Sequence, residues 1–210
     1  MFAACLARLE RLGEMTGPLA AHMAVHILLM NIVAPLAALG LSRVLQNSRA
    51  ISGRLLGLAT LMQIAGLWAW HAPPFLNRAL ESSSVHLVMN GSLFLSALLF
   101  WWAVLYFRGE RSWQPIAALL VTSKLYCLLA VLFVFAPRTL YPDFASSHLG
   151  HGVGGPSTGL ADQQLAGLIM LVACPVTYVL AGVMIAARWL LSMEKDGDDP
   201  GSRSGAEAWT

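Results

Sequence analysis

The chain alternates long apolar runs with short polar interruptions. Five runs match or exceed the roughly 20 residues that a helix needs to cross a hydrocarbon core. They are Leu19–Leu41, Gly53–Ala72, Val85–Phe107, Pro115–Ala136 and Leu165–Trp189. Between them, Gln46-Asn47-Ser48-Arg49, Ala72-Pro73-Pro74, Arg108-Gly109-Glu110-Arg111 and residues 137–159 break or solvate the backbone. Residues 1–18 mix apolar positions with Arg8, Glu10 and Arg11, a pattern that predicts a short interfacial helix. They lack the long apolar region and cleavage site of a signal peptide. Residues 192–210 are rich in Gly, Ser and Asp and read as a disordered tail. The expected fold is an all-α integral membrane protein, a bundle of about five transmembrane helices over residues 19–191.

Composition agrees with the pattern. Of 210 residues, 57% are hydrophobic and 11% charged, with a mean hydropathy of +0.65. Soluble domains carry about 25% charged residues, so a water-soluble globule is excluded as the working picture. The formal charge of +2 and the lack of a basic aromatic stretch give no reason to expect nucleic acid. Three widely separated cysteines without a CxxC do not indicate a disulfide framework.

Charge in the loops orients the bundle. Arg8, Arg11, Arg78 and Arg138 fall on one side, against Arg43, Arg49, Arg54, Arg108, Arg111, Arg188, Lys195 and Arg203 on the other, four against eight. The richer side is expected to be cytoplasmic, which puts the N-terminus outside and the C-terminal tail in the cytoplasm. All six histidines, His22, His26, His71, His86, His148 and His151, then fall on the outer half. Lys124, near the middle of the fourth run, has no acidic partner within any span; it snorkels, bonds backbone carbonyls or loses its proton.

Imidazole is costly in hydrocarbon, so a one-sided set calls for a metal, a haem or a proton. His22 and His26 stand at i and i+4, one turn apart on one helix face, and Met30 continues the stripe. Two such imidazoles can ligate one metal, and a nearby thioether favours Cu(I). The plain alternative is a pair packed and hydrogen-bonded between helices. His71 follows Trp68 and Trp70 at a helix stop. His86 follows the N-cap run Ser82-Ser83-Ser84 and shares a face with Met89 and Asn90. Either histidine could simply meet water. His148 and His151, in a glycine-rich loop, read as bystanders. Asp162, beside Gln163, either suits a helix N-terminus or accepts a hydrogen bond from a liganding imidazole. Met170 and Cys174, one turn apart, either pack or pass soft metal inward.

Several stretches together resemble the CtaG family of bacterial cytochrome c oxidase assembly factors. They are His22–Met30 with Ala34-Pro35-Leu36, Leu67–Pro73, Leu98–Trp102, Leu140-Tyr141-Pro142 and Asp162–Met170, in the family's order from about residue 19 to 190. The resemblance implies a non-enzymatic, multi-pass protein of the bacterial inner membrane that matures a haem–copper oxidase and handles or delivers copper at the periplasmic face. Its implied partners are the oxidase subunits, periplasmic copper chaperones and the lipid bilayer. Relatives usually read H-x-x-E-H where this chain has His86, Met89 and Asn90, so one imidazole and one carboxylate are missing. The expected ligands are therefore His22, His26, His71 and His86, with Met30 and Met89 as soft auxiliaries and Asp162, Gln163 and Asn90 in support. Two other readings stand beside this one. One is a b-type cytochrome holding haem b between two histidines; the other is a purely structural partner in oxidase assembly.

Overall fold

A computed structural model describes residues 17–44, 52–107, 113–141 and 156–197. Within them the chain is helical: α1 Pro18–Leu28, a π turn Leu29–Val33, α2 Ala34–Val44, α3 Gly53–His71, α4 Pro73–Glu81, α5 Ser83–Leu105, α6 Gln114–Phe135 and α7 Pro156–Gly197. Four stretches are long and apolar enough to cross a membrane by themselves: Pro18–Leu41, Ser83–Leu105, Gln114–Phe135 and Gly159–Leu191. A fifth combines α3 with the start of α4, bent by 77°. The bundle is turned inside out relative to a soluble protein. Leu61, Leu87, Leu95 and Val172 are each more than 60% exposed, as lipid-facing residues should be.

Proline shapes two of the breaks. Pro73 and Pro74 force Ala72 into an extended conformation (φ −67°, ψ 135°), which ends α3 and lets α4 leave at a steep angle. α4 lies with Leu76 and Ala79 buried and Phe75 exposed. Pro35 acts more subtly. In the widened π turn each carbonyl waits for the N–H five residues on, and Pro35 has none to give to Met30. The Met30 carbonyl instead accepts a hydrogen bond from Trp101 Nε1 at 2.9 Å.

α7 is the longest element. It begins at Pro156, earlier than the apolar run predicts, and continues to Gly197, into the segment expected to be a disordered tail. α7 packs most extensively on α6 and also on α1, while α5 covers α3 and α2. At Gly167 the fit of α7 to α6 is so close that a Cβ would meet the Ala130 carbonyl, Phe133 Cβ and Val134 Cγ2, each at 2.9 Å. The expected interfacial helix, up to residue 16, and residues 198–210 lie outside the described residues, as do His148 and His151.

Candidate functional site

Helix ends meet where the four described histidines lie. The start of α1, the end of α3, the start of α5, the end of α6 and the start of α7 all contribute. α1 begins at Gly17, whose φ of +99° favours glycine, and Gly17 offers no side-chain cap. The cap comes from across the bundle. Asp162 on α7 accepts the backbone N–H of Leu19 at 2.9 Å and of Ala20 at 3.0 Å with its two carboxylate oxygens. A Cβ at position 17 would fall within 2.3 Å of that carboxylate, a second reason for glycine there. Asp162 is thus occupied by helix α1 and does not reach an imidazole.

The anchored α1 carries His22 and His26, whose Nε2 atoms face one another at 2.8 Å, one donating and one accepting. Two imidazole nitrogens on one tetrahedral metal lie about 3.3 Å apart when each bond is about 2.0 Å. The pair therefore needs to open by only about half an ångström to admit an ion, a movement within side-chain rotation. His22 also uses its other nitrogen: Nδ1 stands 3.3 Å from His86 Nε2, and the two rings stack at 5.2 Å. The Asn90 amide nitrogen lies 3.3 Å from the same His86 Nε2. The amide thus stands against the ring face where the resemblance expects a second imidazole, and its oxygen is buried without a partner.

His71 is held differently. Its Nδ1–H donates to the Leu67 carbonyl at 2.7 Å, which fixes the tautomer and leaves Nε2 bare in the neutral ring. That nitrogen points at Met23 Sδ, 3.3 Å away, an atom with no proton to give. Tyr141 donates to the His71 carbonyl at 2.6 Å, capping the end of α3, and burial pushes its phenol pKa well above the ordinary value. The His71 ring meets His26 at 5.9 Å and Phe133 at 6.1 Å between centroids.

The four expected histidines form one chain of ring contacts, His86–His22–His26–His71, and the His71 nitrogen also faces Met23. Among the described residues no group of three or more His, Cys, Asp or Glu side chains is arranged to hold a metal ion. Met30 and Met89 are both fully buried, but neither is in hydrogen-bond contact with a histidine. Gln163 is buried structural glue: its amide donates to the Phe133 carbonyl at 3.2 Å and accepts from Leu140 N–H at 2.7 Å. Ser82 is the N-cap of α5 without a side-chain bond, so the serine run does not cap in the expected way. Lys124 is exposed on α6. Met23 was not singled out by the sequence pattern, although it sits between the two histidines and its spacing of three from His26 turns it toward α3.

The chain matches the family of cytochrome c oxidase caa3 assembly factors (Caa3_CtaG) over residues 1–192. It belongs to that family. The membership carries a role in cytochrome c oxidase assembly, and the four to five candidate spans agree with a multi-pass membrane protein. No curated protein and no solved structure matches the chain.

Proposed function

We propose that this assembly factor holds copper as cargo at its histidine end and presents it to a maturing haem–copper oxidase from the periplasmic side of the inner membrane. The observation that carries the reading is the His22–His26 pair, with its two Nε2 atoms converging at 2.8 Å inside an otherwise apolar bundle. A metal would replace the single proton shared between them, at the cost of a small opening of the pair. The neighbouring bare Nε2 of His71 and the Met23 thioether favour Cu(I) over a harder ion. The loop-charge asymmetry supports an outward-facing histidine end. Such a protein moves an ion and changes no covalent bond, so it is not an enzyme. Its partners are the oxidase subunits and a periplasmic copper source.

A bis-imidazole haem fits this arrangement less well. Haem ligation needs two rings on opposite faces of a flat macrocycle, whereas the His22 ring here touches those of His26 and His86. The test is metal analysis of chain purified from copper-replete membranes, together with its visible spectrum. About one copper per chain, lost in His22→Ala plus His26→Ala, is the expected result. Full copper in that double variant sinks the site, and a strong Soret band sinks the copper reading altogether. Oxidase that assembles with normal copper but poor subunit association in a deletion strain would favour a purely structural partner.

A further inference from the structure

Deeper than the histidine pair, α1, the π turn, α3, α6 and α7 enclose a cavity of about 20 Å³. That is room for about one water-sized particle. Half of its donor side chains carry sulfur: the thioethers of Met23, Met30 and Met170 and the thiol of Cys174. His26 and His71 line it as well, so the His26 ring belongs both to the histidine pair and to this deeper space. The Asn31 amide donates toward Cys174 Sγ at 3.6 Å, while its oxygen is buried without a partner. The Tyr126 side chain, also in the lining, is buried with its ring against that of Tyr178.

We propose that this cavity is a second, sulfur-lined Cu(I) site, filled from the His22–His26 pair through His26. The inference rests on the copper reading above and adds an interior station to it. Soft sulfur ligands are the ones that select Cu(I), and this cavity gathers four of them. Cys174 joins the three thioethers as a neutral thiol, so no proton has to leave the cavity. The Met30 backbone is already set apart by the π turn, so its side chain is placed by a local irregularity of the kind that often accompanies function.

The test is X-ray absorption at the copper edge on the full chain in detergent, loaded anaerobically with equimolar Cu(I). A sulfur shell at about 2.3 Å beside a nitrogen shell at about 2.0 Å is expected. Met170→Leu with Cys174→Ser should remove about half of the sulfur shell and weaken binding by about tenfold or more, while Cys127→Ser, outside the lining, leaves both unchanged. Copper bound by nitrogen and oxygen alone overturns the interior site, points to an ordered water between Asn31 and Tyr126, and leaves the histidine pair standing. A sulfur shell undiminished by the double substitution overturns the assignment to this cavity. Failure to bind copper at all overturns both readings. Because the unsubstituted protein gives the deciding spectrum, a variant that folds poorly does not blunt the test.

Discussion

The two ends of the bundle are built to different standards. At the histidine end, Asp162 caps α1, Tyr141 caps α3, Gln163 ties α6 to the following turn, and Gly167 brings α7 against the α6 backbone. At the opposite end, α3 and α6 diverge around an apolar groove of about 480 Å³, lined by Gly57, Thr60, Leu61, Trp113 and Val121 among others. Glycine occurs at both ends with opposite meaning. A Cβ at Gly167 meets backbone, whereas one at Gly53 meets the far end of the flexible Gln114 side chain at 2.6 Å. Rigidity is concentrated where imidazoles must be aimed. The groove end has only to be apolar and helical.

Substitutions can break this contrast. Gly167→Ala should cost the most, about 1–3 kcal/mol in thermal or denaturant unfolding in detergent, because the α6 carbonyl cannot move aside. An unchanged melting temperature would mean the two helices are not packed this closely. Asp162→Ala comes next, at about 1–2 kcal/mol, through two orphaned N–H groups at the start of α1. Since α1 carries His22 and His26, copper retention should fall with it, and a variant that loses stability but keeps its copper would separate the cap from the site. Tyr141→Phe should cost about 1 kcal/mol by leaving the His71 carbonyl unsatisfied. The smallest effect belongs to Gly53→Ala, expected within about 0.5 kcal/mol of the parent protein. If it matched Gly167→Ala, the two ends would be equally rigid and the contrast would fail.

Residues whose roles depend on one helix were legible from the sequence. The i, i+4 spacing of His22 and His26 puts them on one face whatever surrounds α1, and Pro73-Pro74 ends α3 by local sterics alone. Residues that act across helices were harder to read. Asp162 offered two readings, a helix cap or an imidazole partner, and only the packing of α7 on α1 chooses the cap. Met23 had no signal except proximity, because a methionine at helical spacing reads as core packing until the opposite face is known.

The sequence by itself determined that the chain is a set of membrane-length helices with histidines gathered toward one end. Apolar run length and loop punctuation are local properties and survive any arrangement of the bundle. Tertiary structure alone decided which nitrogens face each other, that the His71 nitrogen turns to a thioether while its ring edges His26, and that sulfur collects beneath them. The physical reason is that these are distances between residues as far apart as 143 positions, such as Asn31 and Cys174. No periodicity along the chain encodes the register of one helix against another; close packing does.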